Sequence, residues 1–309
     1  MKRYLPALIV FLIGSFPLQL YAQELYFIDA HSQVDQKVDD LELILQRMNA
    51  AGVHKTILTA RGRRPLKDIT NLAARYPERI VPAIRTKGGI YRKNSPEFYT
   101  KLHQRVNSDR YEAMAEILIY HAQKGEKADE VDVPLTDPRV DAVLQSCIGK
   151  DWPMYLHIEF ASLHGNKRKQ TMHELEKFVD TNPSHPFILT HMGQLDANEV
   201  RPLLDRHSNL YFMVAHTNPV LTSVSNQPWM DMFSGVTLKD EWKQLMIEYQ
   251  DRFIFALDNV WQRHWQEYYL PQIDLWRKVL AELPGPVAHK FAHGNAERLW
   301  RLPIKNHHE

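Results

Sequence analysis

Four side chains able to bind a metal ion or move a proton, His31, His157, His191 and Asp258, each stand at the end of a short apolar run. The runs read Leu-Tyr-Phe-Ile-Asp-Ala-His31, Pro-Met-Tyr-Leu-His157, Pro-Phe-Ile-Leu-Thr-His191 and Phe-Ile-Phe-Ala-Leu-Asp258. Imidazole and carboxylate are the usual donors to a divalent cation, and they are also the usual general acids and bases. Residues this far apart in sequence share a site only if the fold gathers the ends of different strands. A parallel barrel does so, because all its strands open onto one face.

The elements needed for such a barrel are legible. Eight strand-like runs fall at residues 25–30, 55–59, 80–84, 111–116, 153–156, 187–190, 210–214 and 253–257. Most are continuously apolar, as expected of parallel strands buried on both faces. Helical stripes lie between them, at residues 38–51, 137–148, 172–179 and 240–249. Gly52 follows the first stripe, where a glycine readily takes the left-handed conformation that ends a helix. Eightfold alternation predicts an α/β fold, a (β/α)8 TIM barrel. An open doubly wound sheet is disfavoured, since no Gly-x-Gly-x-x-Gly follows the first strand. Two long connections, residues 215–236 and 259–270, would overhang the functional face as lids or substrate walls or, on the other reading, decorate the surface or pack their aromatics against the last helix.

The N-terminus reads differently. Met1-Lys2-Arg3 is followed by a nearly apolar stretch from Leu5 to Leu20, and Ala22 offers a small residue for cleavage. Residues 1–22 are therefore expected to be a cleavable signal peptide, leaving 23–309 as one barrel domain in an exported, periplasmic or secreted protein. Pro6, Gly14, Pro17 and Gln19 suit a permanent membrane span poorly, so no stable anchor is expected after cleavage.

Composition narrows the chemistry. The 309 residues carry a net charge of +1, which gives no reason to expect nucleic acid as a partner. Cys147 is the only cysteine, so an intramolecular disulfide is impossible, and its apolar run predicts a buried, inert thiol. There is no Gly-x-Ser-x-Gly elbow, no His-Glu-x-x-His helix and no phosphate-binding glycine loop. His173-Glu174 lacks a second histidine and is expected on an outer helix. The partner left by elimination is a small-molecule substrate. The sequence leaves monomer and homodimer both open.

At Ile28-Asp29-Ala30-His31-Ser32-Gln33 the chain resembles the amidohydrolase superfamily. It resembles in particular the branch of single-domain metal-dependent hydrolases and decarboxylases related to aminocarboxymuconate semialdehyde decarboxylase. Further similar segments follow in order: Ala51 to Leu58, Tyr76 to Pro82, His157, Thr190-His191-Met192-Gly193, Asp258, and Gly294 to Trp300. Together they span residues 25–302.

The resemblance implies one bound divalent ion, zinc first and manganese next, with His31, His157 and Asp258 as ligands. It implies that Asp258 could alternatively move protons, and that His191 polarises the substrate carbonyl or, as in two-metal members, joins the coordination shell. The family pattern is Asp-x-His-x-His, but this chain has Gln33 at the second histidine, and an amide oxygen is the poorer zinc ligand. Gln33 could still serve as a ligand. Glu116 could supply a carboxylate ligand, as in some members, or form a salt bridge to an arginine from an adjacent strand. Arg61 and Arg85 follow the second and third strands, where a guanidinium could hold a substrate carboxylate or stabilise a loop through an ion pair. His216, Tyr120 and His121 are weaker candidates.

The activity expected from this pattern is metal-dependent hydrolysis of an ester, lactone or amide carbonyl by activated water. One alternative is metal-dependent, non-oxidative decarboxylation of an unsaturated or aromatic acid. The other is a barrel that has lost catalysis along with the second histidine and serves as a binding protein.

Overall fold

The structure, a computed structural model, describes residues 25–304. The segment expected to be a signal peptide lies outside the described residues. Among those described, no helix is long and apolar enough to cross a membrane.

Twelve strands occur in chain order: β1 Phe27–Val34, β2 Val53–Ala60, β3 Ile80–Ile84, β4 Ala113–Met114, β5 Ile117–His121, β6 Val131–Asp132, β7 Met154–Ile158, β8 Phe187–Leu189, β9 Leu210–Met213, β10 Phe233–Ser234, β11 Thr237–Leu238 and β12 Phe253–Ile254. Parallel pairing runs β1-β2-β3-β4 in one ladder and β12-β9-β8-β7-β5 in a second, with β6 added antiparallel to β5. Backbone bonds join the first strand to the last. Ala30 N–H donates to Phe255 O (3.1 Å), Asp258 N–H to His31 O (2.7 Å) and Gln33 N–H to Asn259 O (2.7 Å). The other seam is the chain itself, passing from β4 into β5.

The eight expected strand runs all contain strand, with altered limits. The fourth divides: β4 stops at Met114 and β5 resumes at Ile117, leaving Glu116 in the interruption. The Thr86 hydroxyl takes up the Glu116 carbonyl there, replacing a ladder partner. β1 extends to Val34, and its register with β2 shifts between Asp29 and Ser32. A shift of this kind re-aims side chains locally, here His31.

Helix Glu42–Ala51 is shorter than its stripe, and Gly52 ends it at φ 67° with its N–H on Asn49 and Met48 carbonyls. The long connection at residues 259–270 follows the packing reading and not the lid reading. From Gln262 onward it is helical, passing through a π-turn at His264–Tyr268 into helix Tyr269–Leu280. Trp265 and Tyr269 are buried on that helix, so packing overrides the loop-like composition. The 215–236 connection remains largely irregular, with one short helix, Pro219–Thr222.

Two cores result. The larger lies between strands and outer helices and includes Cys147. The smaller fills the inside of the strand ring, where Ile28, Val81, Met213 and Ile254 are each followed two residues later by Ala30, Ala83, Ala215 and Ala256. Bulk at one end and alanine toward the C-terminal end leaves space that Tyr155 fills, its ring against Trp300 (5.4 Å) on the closing helix.

Candidate metal and proton-transfer site

His31, Gln33, Glu116, His157, His191, His216 and Asp258 are all buried and meet at the C-terminal ends of the strands. His31 and Gln33 project from β1 and His157 from β7. His191 lies two residues past β8, His216 three past β9 and Asp258 four past β12. These last three share an uncommon backbone: φ is 53° at His191, 58° at His216 and 47° at Asp258. Non-glycine residues held in the left-handed region cost about 1–3 kcal/mol each, and such strain concentrates at functional sites. Asp29 braces the seam beneath, accepting from Ser32 Oγ (2.5 Å) and Leu257 N–H (2.9 Å), while burial pushes its carboxyl up to about 7.

One half of the site is occupied by protons. Glu116 accepts from the Lys87 ammonium and from Gln33 Nε2 (3.3 Å) on one oxygen, and from His157 Nδ1 (2.8 Å) on the other. Gln33 Nε2 also donates to Asp258 Oδ1 at 2.6 Å. An amide between two carboxylates must present its NH2 to them. His157 Nε2 in turn meets Glu159 at 3.3 Å, and Glu159 accepts from Lys124 Nζ and Ala122 N–H, both at 2.8 Å. Burial alone would lower the His157 pKa, but Glu116 and Glu159 outweigh it and raise the ring to about 9. The half containing Glu116, Lys87, His157, Glu159 and Lys124 is thus a chain of alternating charges.

The other half presents lone pairs. His191 Nδ1 faces the Ala215 carbonyl at 3.1 Å, and a carbonyl can only accept, so the proton is on Nδ1 and Nε2 is bare. His216 Nε2 likewise faces the Asp258 carbonyl at 3.1 Å, leaving Nδ1 bare. These nitrogens lie 3.7 and 3.8 Å from Asp258 Oδ2. Burial pulls both rings down to about 4, so both are neutral at pH 7. His31 Nε2 stands 3.5 Å from Asp258 Oδ1. His31 Nε2 and His216 Nδ1 are buried without a hydrogen-bond partner. Buried nitrogens normally have one, so bare nitrogens grouped around a carboxylate fit a cation.

Several expectations change. His191 was expected to polarise a carbonyl, yet its Nε2 offers a lone pair where that role needs a proton. Glu116 makes the cross-strand salt bridge, with lysine rather than arginine as partner. Arg85 braces a loop, donating to Lys87 O (3.0 Å) and Gly62 O (2.6 Å). Arg61 stacks 4.9 Å over Trp261 and, among the described residues, forms no ion pair. Tyr120 points to Glu130 (3.0 Å), while His121 lies at the edge of the charged chain, 4.0 Å from Glu159. Lys87, Glu159, Lys124 and Trp229 escaped the sequence reading. Trp229, on the 215–236 connection, covers His191 and His216 with ring centroids 4.7 and 5.0 Å away. Lys87 and Glu159 each stand within three residues of a strand end, which was the available signal.

A sequence profile of the amidohydrolase family matches residues 126–302, more than half of the 309. The chain belongs to the amidohydrolase family and is an enzyme of that class. No curated protein sequence matches it. Among solved structures it is similar to an uncharacterised TIM-barrel protein of Bordetella bronchiseptica, at 16% identity and TM-score 0.56 over 85% of this chain and 83% of the other. It is similar to a 2,6-dihydroxybenzoate decarboxylase complexed with 2,6-dihydroxybenzoate, at 14% identity and TM-score 0.55, covering 90% and 98%. An amidohydrolase of Burkholderia multivorans with bound zinc gives 13% identity and TM-score 0.56, covering 90% and 100%. At such identities the likeness is one of fold.

Proposed function

We propose that this enzyme is an exported, metal-dependent hydrolase with a (β/α)8 barrel, acting on an ester, lactone or amide carbonyl. The observation that carries the proposal is the group of bare imidazole nitrogens around the Asp258 carboxylate at the strand ends. The family implies a divalent ion, and two groups that share Asp258, one with His191 and His216 and one with His31 and Glu116, offer donors to hold it. When bound, such an ion supplies Lewis acidity and lowers the pKa of water from 15.7 to about 7.

This chain's own residues do the rest. Asp258 accepts the proton of the attacking water and returns it to the leaving group. Gln33 Nε2, 2.6 Å from Oδ1, holds that carboxylate in place. Lys87 keeps two N–H bonds beyond the one on Glu116, so it is the buried cation able to meet an oxyanion. Trp229 limits water above the histidines. Asp258→Asn should lower turnover by at least ~100-fold with an unchanged circular dichroism spectrum. Undiminished turnover in that variant, on any ester, lactone or amide the wild type hydrolyses, defeats the proposal.

A second reading, non-oxidative decarboxylation of an aromatic or unsaturated acid, is favoured by Lys87 and by the unpaired Arg61 guanidinium, which suit a substrate carboxylate. Release of carbon dioxide from candidate acids separates it from hydrolysis. The N-terminal charged and apolar segment supports export, and the mass of the cell-processed protein tests it.

A further inference from the structure

Asp258 has two faces, and they differ in what surrounds them. Oδ1 faces His31 Nε2, but the Gln33 amide donates directly into the same space, and the Lys87 ammonium lies on the neighbouring Glu116. A cation there would meet N–H protons instead of lone pairs. Oδ2 lies 3.7 Å from His191 Nε2 and 3.8 Å from His216 Nδ1, both bare nitrogens.

We propose that the cation of this enzyme is bound on the Oδ2 face, by His191, His216 and Asp258, and that Gln33 and Lys87 close the Oδ1 face to it. The proposal rests on the metal-dependent reading above and assigns it a location. The pattern the chain resembles would place the ion beside a pair of β1 histidines; here the second of these is Gln33.

Further observations support this position. Asp258 Oδ2 lies 3.7 Å from His191 Nε2 and 3.8 Å from His216 Nδ1, each within the roughly 4 Å that two bonds of about 2 Å can span, and the three donor atoms all fall within 4.8 Å of one another. Two imidazoles and a carboxylate form a donor set that catalytic zinc uses, with a fourth position left for water or substrate. Both tautomers are fixed from behind, by the Ala215 and Asp258 carbonyls, and such outer partners orient ligating rings. His216 Nδ1 is moreover a buried acceptor without a partner, on a side chain 9% exposed. The same three residues carry the left-handed backbone, so the strain falls on the proposed ligands and not on His31 or His157.

The test is zinc binding by metal-depleted full-length protein, read by equilibrium dialysis and elemental analysis. Wild type should bind one zinc per chain. His216→Gln should weaken binding by at least the ~10–100-fold typical of losing an outer partner. His216→Asp, which restores a donor atom, should recover most of it, and His157→Gln should leave the affinity unchanged. Loss in His157→Gln with retention in His216→Gln would overturn the location while leaving the enzyme metal-dependent. Failure of wild type to take up zinc would overturn both. An anomalous-difference map of zinc-loaded wild-type crystals decides the location without any variant. A peak at His216 Nδ1 supports it, and a peak between His31 and Glu116 overturns it.

Discussion

Lys87→Met is the perturbation with the most readable outcome. In the folded chain the Lys87 side chain is 13% exposed and its partner Glu116 only 2%, so water screens the pair poorly. At the ~2.8 Å of a charge-assisted bond and an effective dielectric of about 20, their attraction is about 6 kcal/mol. Desolvation offsets part of that in the intact pair. Removing only the lysine leaves Glu116 buried with Gln33 and His157, and breaking such a pair costs about 3–5 kcal/mol. Replacing both members by neutral groups removes the stranded charge, so Lys87→Met/Glu116→Gln should be clearly more stable than Lys87→Met alone. Urea unfolding of the four proteins in a double-mutant cycle, metal-depleted and at neutral pH, gives the coupling directly. A coupling below about 1 kcal/mol would refute the claim that this ammonium neutralises the Glu116 side, since exposed pairs already reach that value.

His157 makes stability pH-dependent in a definite direction. Its folded pKa of about 9 lies above the usual 6.5, so its contribution is complete below pH 6.5 and is lost as pH rises through 9. The shift corresponds to about 3 kcal/mol, which urea midpoints at about pH 6 and 9.5 should show in metal-depleted wild type and not in His157→Gln; equal slopes in the two proteins would contradict it. Trp229→Ala should speed diethylpyrocarbonate labelling of His191 and His216 in the metal-depleted protein, because the indole covers both rings, and leave His157 unaffected. Mass spectrometry of the labelled peptides measures this, and an unchanged rate at both rings would mean that Trp229 does not shield them.

What the sequence made legible follows from what apolar runs can say. A polar donor ending a buried strand has few places to go, which is why His31, His157, His191 and Asp258 could be placed on one face. Gly52 was legible because a left-handed helix end leaves few alternatives. Lys87 was not: in Arg85-Thr86-Lys87-Gly88-Gly89 it reads as a loop lysine, and only the path of β3 brings it to Glu116. The proton positions were equally hidden. Whether His191 donates or accepts depends on the Ala215 carbonyl, 24 residues away in sequence, and His216 depends in the same way on Asp258. The helix beginning at Gln262 was missed because its aromatic residues resemble a lid until their burial is known.

The alanines inside the strand ring bear on how this catalyst could be reshaped. Tyr155 fills the space they leave, with its hydroxyl on the Ala30 carbonyl (2.7 Å) and its ring centroid 5.6 Å from that of the His31 imidazole. Adding methyl groups at Ala30, Ala83 or Ala256 would lift that phenol toward the reacting centre, so the chamber's depth is governed from underneath. Variation in the residues beneath the chemistry, none of which meets a substrate, would then tune the size of molecule admitted while the polar machinery stays the same.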